Sequence, residues 1–316
     1  MSAEALGSLV PEEVRALIRT QSLKLGRPIH GRGFGRHAAA RIGPGREFRD
    51  HRPYVPGDDP RRLDWKAFAR RDRLVLRQTE SEDELTLALL LDGGGGMAYG
   101  AGAERKFTFA AAVAASLAYL AHGQGDAVVY ALGGGPLPPN TTLRLRRASE
   151  SLATLGEALR SHRPAGVAPW PALLEAATHA LPPGSLVVVL SDLLDPGGRG
   201  LPEDDERMLA GLQHLRARRH DVLLVQVLHR DEVDFPWSED RPLRFVDLWD
   251  RRPPREGAAL AMRAAYLDAL QTHLRAWDEE ATRRGLMLER LTTRAPLAET
   301  IARLIRRLGE HRTSLR

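Results

Sequence analysis

The sequence predicts an α/β fold with a mostly parallel, doubly wound sheet and helices on both of its faces. From residue 85 onward, short apolar runs alternate with helical stretches of about 10–20 residues, which is the pattern of repeated βαβ units. The run 186–190, Leu-Val-Val-Val-Leu, is apolar at every position, as expected for a strand that is buried on both faces. The expected architecture is therefore Rossmann-like.

The individual elements follow from the apolar runs and their spacing. A first helix is predicted at 10–25, because Pro11 suits a first helical turn and Glu12 and Glu13 lie at the positive end of the helix dipole. Beyond residue 84, short apolar runs are assigned to strands and longer segments with helical spacing to helices. The predicted strands are 85–91, 127–132, 185–190, 222–228 and 286–291, and the predicted helices are 105–122, 149–161, 171–180, 204–219, 258–284 and 297–308.

The composition excludes several classes of protein. With 316 residues, 43% hydrophobic and 28% charged, the chain can form a full core, and disorder of the whole chain is excluded. The absence of cysteine excludes disulfides, thiolate metal sites and cysteine nucleophiles. The longest apolar run, 109–121, falls short of the roughly 20 residues that cross a bilayer. Glu4 and Glu12 argue against a secretory signal, so we expect a cytoplasmic protein without membrane contact.

Charge is distributed unevenly along the chain. The net charge is +5, but residues 15–77 alone contain 17 basic and 6 acidic residues, a net of +11. We therefore predict two domains, a basic N-terminal module at 1–80 and an α/β domain at 81–316.

Two of the predicted strands are followed by aspartate. Asp92 follows the strand at 85–91, and Asp192 follows the strand at 185–190 after one serine. Ligands of open parallel sheets bind beyond the carboxyl ends of the strands, and two carboxylates there suit Mg²⁺. Aspartate is also common after a strand as a turn former, so the spacing alone leaves both interpretations open.

Other chemistries have weaker support in the sequence. Glycines 93–96 lack the Gly-Lys-Ser/Thr ending of a phosphate loop, and Lys106 lies too far along the chain. His-Glu-x-x-His and Gly-x-Ser-x-Gly are absent, and the histidines lie at no ligand spacing.

A dense motif occupies residues 45–73. It contains Glu-Phe, Arg-x-Tyr, Pro-Gly-Asp-Asp, Arg-x-Leu-Asp-Trp and Ala-Arg, and it resembles the signature of the bacterial domain-of-unknown-function family 58 (DUF58). In that family the signature precedes a von Willebrand factor type A-like domain. The resemblance extends through 191–195 and 260–270 and covers nearly the whole chain. The matching positions are Glu47, Phe48, Arg52, Tyr54, Pro56, Gly57, Asp58, Asp59, Arg62, Asp64, Trp65, Ala69 and Arg70.

The resemblance implies a type A-like domain and a partner, since these proteins are typically encoded beside MoxR-type AAA+ ATPases and are thought to act with them as adaptors or chaperone-like factors. It implies no established enzymatic activity. We therefore expect a non-enzymatic protein-interaction module without a catalytic residue or an organic cofactor.

One departure from the family pattern concerns the metal-ion-dependent adhesion site of type A domains. That site uses an Asp-x-Ser-x-Ser loop, a threonine and a second aspartate, and of these only Asp92 and Asp192 match. Gly94 and Gly96 stand at the two serine positions, and the loop 164–170, where the threonine would fall, has no hydroxyl residue. With three oxygen ligands missing, we expect a degenerate site that binds Mg²⁺ weakly at most.

The signature segment has two open interpretations. Pro56 to Asp59 reads as a turn, with Asp59 capping a short helix, and residues 74–76 read as a strand that could pair with the sheet edge. The arginines and carboxylates among the signature residues either form an internal ion-pair network or present a surface for a partner.

Two alternative functions accompany the leading one. The basic N-terminal segment could bind nucleic acid, but aromatic residues make up only 5% of the chain and no stacking motif is present. A metal-dependent hydrolase could use Asp92 and Asp192, but the sequence offers no evident general base.

Overall fold

The computed structural model describes residues 6, 9–20, 42–43, 47–54, 68, 74–80, 85–134, 146–147, 152–194, 203–237, 242–249 and 253–313. They form two compact units, one of residues 1–25 with 85–316 and one of residues 26–84. Within the described residues, no helix combines the length and apolarity that crossing a bilayer requires.

The larger unit contains most of the secondary structure. Its helices are α1 (Glu12–Thr20), α2 (Lys106–Gly123), α3 (Ala153–Ser161), α4 (Trp170–Ala180), α5 (Glu203–Ala217), α6 (Arg230–Asp234), α7 (Ala259–Arg284) and α8 (Leu297–Thr313). The smaller unit contributes β1 (Ile42–Gly43), β2 (Glu47–Pro53) and β3 (Val75–Glu80). The strands of the larger unit are β4 (Thr86–Asp92), β5 (Ala127–Gly133), β6 (Arg146–Arg147), β7 (Leu186–Ser191), β8 (Asp221–Leu228), β9 (Pro242–Phe245), β10 (Arg255–Ala258) and β11 (Met287–Thr292).

Six strands form the main sheet in the order β11-β8-β7-β4-β5-β6. The first five are parallel to one another, and the short edge strand β6 is antiparallel to β5. The predicted doubly wound α/β fold is therefore confirmed. The order of the parallel strands along the chain reverses between β4 and β7, so the topological switch point lies between these two strands.

Both faces of the sheet are covered by helices, because residues of the central strands alternate between two cores. On one face, Leu89 and Val188 belong to a core that also contains apolar residues of α1, α2, α3 and α8. On the other face, Leu90 and Val189 pack in a core with residues of α4, α5 and α7. Continuous apolar strands are stable here because each side chain is removed from water on one face or the other.

The first helix is packed into the larger unit. Val10, Val14 and Ile18 are buried in the same core as α2 and α8, since the apolar side of α1 faces these helices. The observed units therefore place residues 1–25 with the α/β body, whereas the sequence division placed them in a module of 1–80.

The smaller unit contains an antiparallel three-stranded sheet of order β1-β3-β2. Residues 75–80 pair with β2 and β1 in this sheet, so the expected pairing of residues 74–76 with the edge of the main sheet is wrong. The backbones of Glu47 and Arg52 lie in β2, opposite Glu80 and Leu76, and the Tyr54 amide donates to the carbonyl of Leu74 at 2.9 Å. Phe48 also lies in β2, and the remaining signature residues lie outside the described residues: Pro56, Gly57, Asp58, Asp59, Arg62, Asp64, Trp65, Ala69 and Arg70.

Candidate functional site at the carboxyl edge of the sheet

The two predicted strand-end aspartates meet at the switch point of the sheet. Leu91 of β4 pairs with Leu190 of β7, so that Asp92 and the Ser191–Asp192 pair leave the sheet side by side. Asp92 and Asp192 are 7% and 2% exposed, and both line one pocket. This closeness is what the parallel arrangement of two neighbouring strands dictates.

Asp92 is held by neutral hydrogen-bond donors. Its Oδ1 accepts from the Gly94 amide at 2.7 Å, and its Oδ2 accepts from the Ser191 hydroxyl at 2.5 Å. Burial, and then the neighbouring charge of Asp192, raises the pKa of Asp92 to about 6, although both hydrogen bonds act in the opposite direction. Asp92 therefore carries a destabilised negative charge at neutral pH.

Asp192 is paired with a buried lysine. The Lys106 Nζ lies 2.8 Å from Asp192 Oδ2 and 2.6 Å from Glu232 Oε1. Lys106 is only 1% exposed, although lysine is rarely buried so fully unless it is paired. The ammonium group thus bridges the carboxyl end of β7 to helix α6.

The position of Lys106 in its helix is intrinsically unfavourable. Lys106 is the first residue of α2, where the positive end of the helix dipole disfavours a cation. Burial opposes the charged form as well, but the charges of Asp192 and Glu232 outweigh it and raise the pKa of Lys106. The two carboxylates therefore keep this ammonium protonated in a place where helix and burial both oppose it.

Glu232 is positioned by a capping box at the start of α6. Its second oxygen, Oε2, accepts from the His229 amide at 2.7 Å, while the His229 side chain accepts from the Asp231 amide at 3.1 Å. The Tyr99 ring lies edge-on to His229, with ring centroids 5.0 Å apart. Helix α6 is short, but these contacts fix the carboxylate that Lys106 meets.

The backbone of Asp192 is also fixed. The Gln226 side chain on β8 donates to the Asp192 carbonyl at 2.9 Å and accepts from Arg290 Nε on β11 at 2.7 Å. The Leu194 amide donates to Asp192 Oδ1 at 3.1 Å. Each carboxylate oxygen of Asp192 therefore has a partner within the chain.

The four glycines after Asp92 are packed against their surroundings. A Cβ on Gly93 would lie 2.0 Å from His162 Nε2, and one on Gly95 would lie 1.8 Å from the Leu248 carbonyl oxygen. The Gly95 amide donates to the Gly166 carbonyl at 2.8 Å, and the Ala165 amide donates to the Gly93 carbonyl at 3.0 Å. Glycine is required here because the loop 164–170 and the segment around 248 approach the backbone closely.

These contacts decide whether a divalent ion fits the predicted metal residues. A Cβ on Gly96 would lie 2.5 Å from Asp192 Oδ2 and 2.6 Å from the Trp249 ring, so the space of a ligand hydroxyl is taken. A Cβ on Gly94 would lie 3.0 Å from Asp92 Oδ1. Within the described residues, no group of three or more acidic or histidine side chains has a geometry that could hold a metal. Two carboxylates can hold Mg²⁺ when their oxygens are free, but all four oxygens of Asp92 and Asp192 accept hydrogen bonds within the chain, so the residues present do not fit this ion.

A pocket of about 280 Å³ opens beside this ion cluster. Its floor includes Asp92, Ser191 and Asp192, and two half-buried tryptophans, Trp170 and Trp249, lie along it. The remaining lining residues are Gly96, Val167, Ala168, Pro169, Pro171, Leu193, Leu194, Asp205 and Met208. The carboxyl edge thus presents a cavity in which aromatic side chains accompany a polar floor.

Sequence reasoning found the two aspartates and missed Lys106, Glu232 and Trp249 as members of the site. One signal pointed to Lys106, which is one of only three lysines in the chain and lies at the start of an apolar helix. Glu232 and Trp249 had no comparable signal, because they reach the site from α6 and from a segment far along the chain.

Comparisons with known proteins identify relatives of this chain. Its residues 50–250 match the family described as "Protein of unknown function DUF58". Uncharacterized protein Rv1480 of Mycobacterium tuberculosis and uncharacterized protein Mb1516 of Mycobacterium bovis are each 28% identical to the chain over 233 residues, which is 73% of this chain and 70% of either relative.

Two solved structures resemble the fold at low sequence identity. An aerotolerance-related membrane protein from Bacteroides fragilis has a TM-score of 0.40 at 10% identity, covering 72% of this chain and 99% of that one. The pilus adhesin SpaC from Lactobacillus rhamnosus GG has a TM-score of 0.42 at 9% identity, covering 72% of this chain and 31% of the adhesin. The family match extends over well more than half of the sequence and agrees with the signature motif, so this chain belongs to the DUF58 family.

Proposed function

We propose that this protein is a non-enzymatic interaction module of the von Willebrand factor type A-like class, and that it binds its partner at the carboxyl edge of the main sheet. The observation that supports this face is the pocket at the switch point, where Trp170 and Trp249 flank a polar floor. Tryptophan is enriched among the residues that dominate protein–protein binding energy, and Val167 at the same pocket is 41% exposed.

The proposed partner is a MoxR-type AAA+ ATPase, as the family resemblance implies. A cytoplasmic location follows from this partner. The adhesion site of type A domains is degenerate in this proposal, because Gly94 and Gly96 supply no hydroxyl ligand and Lys106 contacts Asp192. Partner binding should then be independent of divalent ions at this site.

The two alternative functions have less support. In a metal-dependent hydrolase, Asp92 and Asp192 would have to face a metal ion or a reacting water, whereas all four of their carboxylate oxygens accept hydrogen bonds from this chain. For nucleic-acid binding, most of the basic stretch 15–77 lies outside the described residues, and the alternative stays a prediction.

The proposal is tested with the purified full-length protein and a purified MoxR-type ATPase, which the family resemblance predicts to be encoded beside it. Binding is measured by biolayer interferometry in the presence of a non-hydrolysable ATP analogue. Trp249→Ala should weaken binding by about tenfold or more, since truncation of an interface tryptophan typically costs over 1–2 kcal/mol.

Leu260→Ala is the matched control, because Leu260 is an exposed apolar residue, 55% accessible, that does not line the pocket. It should bind like the wild type. Equal affinity of wild type and Trp249→Ala would place the contact elsewhere, and no binding of the wild type at micromolar concentration would contradict the proposed partner.

A further inference from the structure

We infer that the ammonium group of Lys106 is the internal cation of this site and takes the place between the strand-end and α6 carboxylates that a divalent ion would otherwise hold. Two carboxylates from different elements converge on one point, with Asp192 Oδ2 at 2.8 Å and Glu232 Oε1 at 2.6 Å from Nζ. Convergent carboxylates on a buried centre are a typical arrangement around a cation.

The geometry makes lysine and a divalent ion mutually exclusive. An ion bound to Asp192 Oδ2 at about 2.1 Å would lie within a few ångströms of the Lys106 ammonium, in a buried site where repulsion between like charges is poorly screened. Lys106 must leave, or lose its proton, before such an ion can bind. Its two short ion pairs oppose both events.

The loop before Lys106 is adapted to the same arrangement. The type A pattern places a serine ligand at position 96, but its Cβ would meet Asp192 Oδ2 at 2.5 Å and the Trp249 ring at 2.6 Å. Gly96 therefore accommodates Trp249 in the space of a ligand. The absence of hydroxyl ligands at positions 94 and 96 and the presence of Lys106 therefore belong together. In this exchange, the ammonium group of a lysine side chain takes the place of a bound metal ion.

The exchange has a consequence that can be measured. If Lys106 acts as the cation, its removal leaves Asp192 and Glu232 facing a cavity without a positive charge. Hard oxygen ligands in that state should accept Mn²⁺ or Mg²⁺. Lys106→Ala should therefore convert a metal-indifferent protein into one that a divalent ion stabilises.

The test measures thermal unfolding of the full-length protein in EDTA and in about 5 mM MnCl₂, at which any site with a sub-millimolar Kd shifts Tm. Wild type should shift by less than about 1 °C, whereas Lys106→Ala should unfold well below wild type in EDTA and recover by about 5 °C or more in MnCl₂. The control Arg230→Ala breaks an exposed ion pair and should behave like wild type in both conditions. A larger Mn²⁺ shift of the wild type, or a Lys106→Ala protein that does not respond to Mn²⁺, would overturn the inference.

A second variant decides the matter if Lys106→Ala does not fold in either condition. The triple variant Lys106→Met, Asp192→Asn, Glu232→Gln removes the three charges while nearly preserving shape. It should fold without metal and show a Tm independent of Mn²⁺, because the ammonium and the two carboxylates that pair with it are removed together. Failure of the triple variant to fold would assign Lys106 a packing role and overturn the inference.

Discussion

Asp92 and Asp192 leave neighbouring parallel strands at the same edge of the sheet, yet their surroundings differ. Asp192 meets the ammonium group of Lys106 at 2.8 Å. Asp92 meets a hydroxyl and a backbone amide, and its pKa is raised to about 6 by burial and by the charge of Asp192. Both carboxylates are buried, so exposure does not explain the difference.

The difference shows that a strand end supplies only the position of a carboxylate, while the neighbouring elements decide its charge balance. Lys106 reaches Asp192 from the start of α2, and Glu232 completes the cluster from α6. Both aspartates line the pocket, but the hydrogen-bond partners of Asp92 are uncharged donors. One aspartate is thereby part of a compensated ion cluster, and the other carries a charge whose cost varies with pH.

The largest expected effect comes from removing the cation of the cluster. Lys106→Ala should lower the free energy of unfolding by about 3–5 kcal/mol, because it leaves buried carboxylates uncompensated. Urea denaturation at neutral pH measures this change. Arg230→Ala, which breaks the exposed 2.7 Å pair with Asp234, should leave the midpoint nearly unchanged. If both variants lowered the free energy of unfolding by a similar amount, the buried pairs of Lys106 would contribute no more than the exposed pair of Arg230, and the prediction would be wrong.

A pH-dependent effect is expected at Asp92. Because its folded pKa of about 6 lies above the ordinary aspartate pKa of 3.8, the folded state binds this proton more tightly than the unfolded state. The contribution to stability is present below about pH 4 and is lost as pH rises through 6. The asparagine of Asp92→Asn does not titrate, so this variant does not lose that contribution. Its free energy of unfolding relative to wild type should therefore increase by about 2 kcal/mol between pH 4 and 7.5. Urea denaturation at both pH values tests this, and a constant difference would contradict it.

A smaller effect is expected from restoring a hydroxyl to the glycine loop. Gly96→Ser should cost about 1–3 kcal/mol, because its Cβ would overlap with Asp192 Oδ2 and the Trp249 ring. Gly123→Ser is the matched control, since a Cβ at Gly123 meets nothing within 4 Å. Chemical denaturation compares the two. A Gly96→Ser protein that is as stable as wild type and binds Mn²⁺ tightly would contradict the conclusion that Asp192 and Trp249 occupy the space of a hydroxyl ligand.

The smallest expected effect concerns the neutral partner of Asp92. Ser191→Ala removes the hydroxyl that donates to Asp92 Oδ2 and accepts from the Leu193 amide at 3.1 Å. Its loss should cost about 1–2 kcal/mol, less than the loss of Lys106, because a single hydroxyl rather than a charge is removed. Thermal unfolding of Ser191→Ala and Lys106→Ala under the same conditions compares the two losses. A lower Tm for Ser191→Ala than for Lys106→Ala would contradict the comparison of the two aspartates.

Much of the fold could be predicted from the sequence, because apolar runs such as 186–190 are typical of strands buried on both faces. The meeting of Asp92 and Asp192 followed from the same reasoning. Lys106 could not be placed by spacing, since 14 residues separate it from Asp92 and only the folded loop returns α2 to the strand ends. The contact with Glu232 spans 126 residues and depends on the sheet order.

Of the strands outside the main sheet, only β3 was predicted in part. β2 contains Arg52 and Asp50 and shows no apolar alternation, and β3 runs beyond the short apolar stretch 74–76. The pairing of β2 with β3 satisfies their backbone groups whatever the side chains are. Sequence patterns therefore predicted strands with mostly apolar sequences, such as β4 and β7, and not the polar strand β2.

The most direct measurement is a crystal structure of the full-length protein from crystals soaked in MnCl₂, with anomalous data collected to locate manganese. We expect Lys106 Nζ to lie between Asp192 and Glu232, and we expect no anomalous peak at the carboxyl edge of the sheet. A manganese peak at about 2.2 Å from the oxygens of Asp92 or Asp192, with Lys106 displaced, would contradict it.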